Sequence, residues 1–260
     1  MGNTNQNTLA ATRFGAAAAA YLGSAAHAQG DDLNRLAALA RSQPGLSALD
    51  LGCGAGHVAY ALAAGGASVT ACDPAPEMLA VVEAEARRRG LATIGTQQGA
   101  AERLPFADAA FDLVVTRFSA HHWSNVPAAL GEAERVLKAG GTLLVIDVIA
   151  PESPLCDTLL QTVELLRDAS HVRDYRLSEW RALLQAVGFH EPEADVWKLR
   201  MDFATWTARM NTPRCAREAI GHVFAEAATE ARDYFKVEAD GSFAIDVAWM
   251  QAVRRISAAD

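Results

Sequence analysis

Three glycines spaced by two, Gly52, Gly54 and Gly56, stand between the apolar run Ala48-Leu49-Asp50-Leu51 and a helical pattern that begins at Val58. Glycine lacks a Cβ, so such a turn admits positive φ and lets a ligand lie against the main chain, while the helix behind it offers free N–H groups. The chemistry implied is cofactor binding at a strand end. His57 occupies the position where a GxGxxG dinucleotide fingerprint has its third glycine. Asp73, about 20 residues past the first glycine, closes the next apolar run, where an acidic side chain can accept both hydroxyls of a ribose. A helix cap is the other reading of Asp73, because Asp73-Pro74 precedes a helix at Pro76. Together they leave two cofactor classes open, a nicotinamide or flavin dinucleotide and the adenosine of S-adenosylmethionine.

These residues need a framework of alternating strands and helices. From Ser47 to Ile149 short apolar runs at Ala48–Leu51, Ser68–Cys72, Thr93–Gln97, Leu113–Thr116 and Thr142–Val148 alternate with helical patterns at Val58–Ala64, Pro76–Arg89 and Val126–Leu137. Lys138-Ala139-Gly140-Gly141 reads as the basic last turn and glycine stop of the third helix. Pro151 to about Asp174 and Asp202 to about Lys236 break the alternation and read as helical, with a helix at Ser178–Val187, strands at Glu193–Met201 and Ser242–Val253, and a turn at Asp240-Gly241.

The chain of 260 residues has a net charge of −8 and 51% apolar residues, which suits a packed domain and argues against binding to a phosphate backbone. No apolar run is long enough to span a bilayer. Ala16 to Ala20 imitates the apolar core of a signal peptide, but the chain opens without basic residues and the run is alanine rather than leucine, so a helix is expected there. Cys53, Cys72, Cys156 and Cys215 show no paired spacing, which suits a reducing cytosol, with Cys53 and Cys72 as inert buried thiols.

The succession LDLGCGAGH, ACDPAPEMLA, QGAAERLPFADAAFDLVVTR and AERVLKAGGTLLVID resembles, in order and spacing, the motifs of class I S-adenosylmethionine-dependent methyltransferases. Within them it is similar to the ubiquinone/menaquinone C-methyltransferase-like subgroup of small-molecule enzymes. The resemblance implies a Rossmann-like, seven-stranded, mostly parallel α/β sheet with an antiparallel last strand, helices on both faces and helical cap elements. One methyltransferase domain is expected, with a helical lid at 1–46, a cofactor-binding core at 47–150, and helical insertions and final strands at 151–260. Asp50 and the backbone at Gly52, Gly54 and Gly56 would surround the methionine part of S-adenosylmethionine, Asp73 would bind the ribose and Met78 would lie beside the adenine. Ala100 stands where the family often has an Asp that accepts from the adenine amino group, a departure that removes one hydrogen bond worth about 1 kcal/mol. Ala101 can still donate its amide to the ring, with Glu102 nearby.

Methyl transfer from a sulfonium is an in-line displacement, so the protein must hold the acceptor on axis and exclude water, and a base is optional. His121 and His122, after the fourth strand, are candidates to activate an oxygen or nitrogen nucleophile, or else they wall the pocket. Their adjacency does not suit a shared metal, and no metal is expected. Arg117 is assigned to the cofactor side, where it pairs a substrate carboxylate or bonds to a neighbouring acid. In Ser170-His171-Val172-Arg173-Asp174-Tyr175, His171 and Arg173 are candidates for the acceptor pocket, with Ser178 capping the next helix. Phe14, Tyr21 and His27 belong to the N-terminal helix, and the first two are assigned to the substrate or to core packing. Trp197, Trp206 and Trp249 read as structural. A small-molecule acceptor, no nucleic acid or membrane partner, a cytoplasmic location and room for a homodimer complete the reading. The rival classes are an NAD(P)-dependent oxidoreductase and a non-catalytic S-adenosylmethionine-binding protein.

Overall fold

The computed structural model describes residues 5–22 and 30–256, excepting the side chains of 16–22; the expectations for Tyr21 and His27 fall outside that description. Among the described residues, α1 (Gln6–Leu22) and α2 (Asp31–Ser42) precede the alternating core: β1 (Ser47–Leu51), α3 (His57–Ala64), β2 (Ser68–Asp73), α4 (Pro76–Arg89), β3 (Ile94–Gln98), β4 (Phe111–Arg117), a 3-10 turn (Ala120–His122), α5 (Val126–Val136) and β5 (Leu137–Ile149). The cap follows as α6 (Pro154–Arg167), α7 (Leu177–Ala186), β6 (Glu193–Met201), α8 (Phe203–Arg209), α9 (Arg214–Glu226), α10 (Thr229–Tyr234) and β7 (Phe243–Val253).

The seven strands form one sheet in the order β3-β2-β1-β4-β5-β7-β6. The pairings from β3 through β5 are parallel, while β7 runs antiparallel between β5 and β6, as the antiparallel last strand required. Chain order reverses direction at β1, with β2 on one side and β4 on the other, and the crevice past their carboxyl ends is where open α/β sheets bind ligands.

Burial explains why the helices sit where they do. Val126, Leu130 and Val136 of α5 and Trp180 and Leu184 of α7 cover one face, and Leu36 of α2 and Tyr60 and Leu62 of α3 cover the other. Each fully buried side chain of this size contributes about 1.5–3 kcal/mol. A third cluster joins Leu160 and Val163 of α6, Trp206 of α8 and Phe224 of α9 to Phe243 and Ile245 of β7, so the cap grows out of the antiparallel half of the sheet.

Two local expectations are corrected. The stretch Lys138-Ala139-Gly140-Gly141 is not a final helical turn: α5 ends at Val136, and Leu137 already pairs with Phe111. Gly140 turns at φ 71° where the register shifts, and Arg254 N donates to Gly141 O, so sheet pairing overrides the basic-then-glycine signal. Ser178 does not cap α7. Glu179 in the first turn accepts from Arg176 N at 2.8 Å, and Ser178 instead donates to Glu152 through both its backbone N and its Oγ. The turn at Asp240-Gly241 holds as expected, with Asp240 Oδ1 accepting from Ser242 N and Gly241 at φ 85°.

Candidate active site in two adjoining cavities

The first cavity lies past the ends of β1, β2 and β4. Gly52, Gly54 and Gly56 take φ of 68°, 49° and 85°, the left-handed conformation that disfavours any side chain. Their surroundings differ. A Cβ on Gly52 would lie 2.0 Å from Ser119 Oγ, and one on Gly56 would meet Tyr60 and Val82 at 2.9 Å, whereas one on Gly54 would enter open space. Gly52 and Gly54 therefore line the cavity, while Gly56 serves close packing of α3 and is not part of the lining. Cys53 and Cys72 are buried free thiols whose proton affinity burial pushes up, to about 12 at Cys72, which makes them inert.

Two carboxylates face the same cavity. Asp50 Oδ2 accepts from Ala59 N at 3.0 Å in the first turns of α3, and Asp73 accepts from Gly54 N through Oδ2 and from Ala75 N through Oδ1, both at 2.9 Å. The ribose and cap readings of Asp73 are thus compatible: its oxygens fix the glycine turn and the approach to α4, and each retains a lone pair. Burial pushes Asp50 up to about 7, against the Ala59 hydrogen bond and with help from Asp73, and pushes Asp73 up to about 6 against its two backbone donors. A ligand bringing an ammonium group and hydroxyls relieves that cost, and the turn with its room at Gly54 provides the space. Met78 is buried beside the cavity, and Ala100, Ala101, Glu102 and Arg117 line it.

Glu102 is held by Ser124 N, Ser124 Oγ and Asn125 N through Oε1 and by Asn7 Nδ2 of α1 through Oε2. Arg117 meets Asp32 of α2 at 2.5 Å, with both side chains almost fully buried, so its neighbouring-acid reading is the one realised even though the residue lines the cavity. Helix α1 closes one side. Phe14 packs edge-on against His122 at 4.7 Å, Gln6 Nε2 donates to Ser170 O, and Arg13 pairs with Asp168.

A second cavity adjoins the first through shared walls, Phe14, Phe118 and His122. Phe118 sits at φ 51°, an uncommon conformation for a bulky residue, and is held by its N–H bond to Ile146 O and by Arg117 stacked on its ring. The remaining apolar lining comes from Val148, Leu199, Met201, Trp206 and Ile245. Trp206, which reads as structural in the sequence, is both core and wall.

Polar groups gather at one end. His121 Nδ1 lies 2.6 Å from Asp147 Oδ1, and Asp147 also accepts from Ala120 N and Val148 N. Burial disfavours a charge on His121, but the Asp147 carboxylate outweighs it and raises the ring to about 9. At neutral pH His121 is an imidazolium, which cannot act as a base. His122 goes the other way: burial and the charge on His121, with ring centroids 4.2 Å apart, hold it neutral. Its Nδ1 faces Ser170 O at 3.0 Å, a group that only accepts, so Nδ1 carries the proton and Nε2 the lone pair.

His171 and Arg173 do not reach either cavity. His171 Nε2 meets Gln161 Oε1 at 3.0 Å, and Arg173 is committed to Asp157 and Glu179. The structure instead contributes Asp147, Glu164, Arg167, Asp174 and Arg209. Asp174 had a signal, since it lies in the polar stretch that contains His171, whereas Glu164, Arg167 and Arg209 come from helices that look ordinary in sequence. No cluster that could hold a metal ion is present among the described residues.

Residues 49–145 match the family model described as a methyltransferase domain. The chain is 34% identical to YcgJ of Bacillus subtilis, an uncharacterised methyltransferase, over 94% of its own length and 98% of that protein. The chain belongs to the S-adenosylmethionine-dependent methyltransferases. It is also 45% identical to YafE of Escherichia coli over 76% of this chain and 95% of that protein. The crystal structure of YcgJ superposes on the methyltransferase with a TM-score of 0.82, covering 86% of this chain and 98% of that one. A shorter match of 39% identity, spanning 45% of each chain, links it to the ubiquinone/menaquinone biosynthesis C-methyltransferase of Rubrivivax gelatinosus. The cofactor of this family is S-adenosylmethionine, which excludes the oxidoreductase reading. No described helix is long and apolar enough to cross a membrane.

Proposed function

We propose that the methyltransferase acts in the cytosol on a small organic acceptor that enters the second cavity, with Asp50, Asp73 and the glycine turn holding S-adenosylmethionine in the first. When bound, S-adenosylmethionine supplies an activated methyl on a sulfonium. The observation that carries the reading is the shared boundary of Phe14, Phe118 and His122, which sets a cavity with apolar walls and charged groups at one end directly against the cofactor side. A concave, partly enclosed site with a mixed apolar and polar lining suits a small molecule better than a polymer chain, and the net charge of −8 speaks against a nucleic acid.

In this reading the protein's own groups divide the work. Asp73 and Gly54 orient the cofactor's ribose and methionine portions, and α1 acts as the lid through Phe14. His122, neutral and with Nε2 as an acceptor, positions the acceptor at the boundary. His121, charged and fixed by Asp147, favours negative charge developing on an acceptor atom. The test uses methyl-labelled S-adenosylmethionine with the purified protein and a bacterial extract separated into small-molecule, protein and nucleic-acid fractions. Label in the small-molecule fraction is expected, label confined to protein or nucleic acid contradicts the acceptor class, and cofactor binding without any transfer favours the non-catalytic alternative.

A further inference from the structure

The fold leaves one oxygen of a buried carboxyl group bare against the second cavity. Asp174 is 2% exposed, and its Oδ2 has no hydrogen-bond partner among the described residues. His171 Nε2 lies 3.8 Å from that oxygen, but the same nitrogen is engaged with Gln161 Oε1 at 3.0 Å. Gln161 also clamps the backbone, its Oε1 accepting from Asp174 N at 3.1 Å and its Nε2 donating to Asp174 O at 2.8 Å. The side chain lines the cavity, so a polar atom held this firmly and left unbonded there faces a partner that is not part of the chain.

His121 lines the same wall and supplies a second group of this kind. Its Nδ1 is fixed on Asp147 Oδ1, and no described residue is hydrogen-bonded to its Nε2. Burial works against a charge on the ring, yet the Asp147 carboxylate raises it to about 9, so at neutral pH Nε2 carries a proton as well. Asp174 is protonated too: burial holds it well above the ordinary carboxylate range, against the charge of His121 and with Glu164, Asp147 and Asp157 adding to the rise. Either carboxyl oxygen can carry that proton, so Oδ2 can be presented as an O–H donor.

The other polar groups facing this pair have partners. Asp147 of β5 accepts from His121 Nδ1, Ala120 N and Val148 N, and Glu164 of α6 faces Arg167, with 3.5 Å between Oε2 and Nη1. Asp157 of α6 pairs with Arg173 and Arg176, and Arg209 of α8 has a partner of its own. His122 and His171 are neutral, both held so by burial and by the charge on His121. What His121 and Asp174 offer a ligand is therefore hydrogen-bond donors. An oxygen that carries no proton complements them, whereas an ammonium, which only donates, must compete with Arg167 for Glu164.

Resting on the small-molecule reading above, we propose that His121 and Asp174 form an oxygen-binding subsite of the second cavity, which grips a proton-free oxygen of the methyl acceptor, a carbonyl or an ionised hydroxyl. The subsite fixes one end of the acceptor, while Val148, Leu199, Met201 and Ile245 hold its apolar body. An imidazolium donor favours negative charge on the gripped oxygen. Neither member of the pair is a base in this state, so an acceptor bound this way brings its nucleophilic electron pair already free of a proton.

The test uses the full chain saturated with S-adenosylhomocysteine and 4-nitrophenol, whose absorbance separates the ionised from the neutral form. The wild type is expected to bind the phenolate about 10-fold more tightly than the phenol, and acetophenone about 10-fold more tightly than ethylbenzene. Benzylamine, an ammonium of similar shape, gains nothing over ethylbenzene. A preference shown by the phenolate alone assigns the subsite to ionised hydroxyls, and one shown by the ketone alone assigns it to carbonyls. Asp174→Leu loses most of the oxygen preference at unchanged affinity for S-adenosylhomocysteine, and Asp174→Asn, whose amide still donates, retains it. Should Asp174→Leu fail to fold, the wild type decides: affinity for the preferred oxygen probe falls as pH climbs through about 9, where His121 gives up its second donor. No preference for either oxygen probe, tighter binding of benzylamine than of acetophenone, an affinity flat through that pH, or an unaltered preference in folded Asp174→Leu each overturns the subsite. If labelled extract yields methylated small molecules while neither oxygen probe is preferred, the subsite fails and the small-molecule reading stands; label only in macromolecules removes both.

Discussion

The two cavities are built from different materials. The first is built mainly on strand ends of the parallel half, a glycine turn after β1, Asp73 at the end of β2 and the start of α3, with α1 closing one side. The second is made of side chains from α6, the loop before α7, β5, β6, α8 and β7, joined by Phe14 of α1, Phe118 just past β4 and the 3-10 turn. In the proposed reading the first half holds a ligand common to many enzymes, and its geometry tolerates little change. The other half is assembled from variable cap elements, where acceptor choice can change without disturbing the cofactor side.

The sharpest way to break this division is Gly54→Val. Its Cβ meets no protein atom, but the residue must sit at φ 49° and its side chain projects into the first cavity. Loss of S-adenosylhomocysteine affinity by on the order of 100-fold is expected in calorimetry, with a folding cost of about 1–2 kcal/mol from the left-handed backbone. A variant that binds normally would show that the cofactor does not lie on the turn. Next in size is Asp73→Asn, expected to weaken the same ligand by about 1–3 kcal/mol through its ribose and turn contacts.

The third prediction concerns pH. Asp50 and Asp73 are raised to about 7 and about 6, so the ionised carboxylates that receive ligand donors are present above those values and lost below them. Affinity for S-adenosylhomocysteine should fall as pH drops through about 7 and then about 6. A flat profile across that window contradicts the assignment of both carboxylates to the cofactor. The smallest effect separates His121 from the first cavity. Its folded-state value of about 9 lies above the ordinary 6.5, so its pairing with Asp147 stabilises the fold fully below 6.5 and loses that contribution as pH climbs through about 9. His121→Asn should flatten the alkaline fall in melting temperature while leaving cofactor affinity intact.

The same contrast explains what could be read before the structure. Gly52, Gly54, Asp50 and Asp73 are legible as residues of one cavity because a buried strand, a glycine turn and an acidic strand end are local patterns that meet at a strand end. The resemblance places Gly56 beside the ligand, yet it faces Tyr60 and Val82, a packing relation that spacing cannot reveal. His121 and His122 were found as a pair, but their opposite protonation depends on Asp147 and Ser170, 26 and 48 residues away. Arg173 looked available because Asp157 and Glu179, its ion-pair partners, lie on two different helices. Asp174 sat in the polar stretch without distinction, since only the fold shows that Gln161 holds its backbone and no group among the described residues hydrogen-bonds its Oδ2.

The central claim, that one cavity holds the cofactor and the other the acceptor, is tested most directly by calorimetric titration of S-adenosylhomocysteine into the wild type, Asp73→Asn and Asp174→Asn. The account predicts binding to the wild type, an affinity reduced by about 10-fold or more in Asp73→Asn, and an affinity unchanged in Asp174→Asn. Equal losses in the two variants, or none in Asp73→Asn, would contradict it.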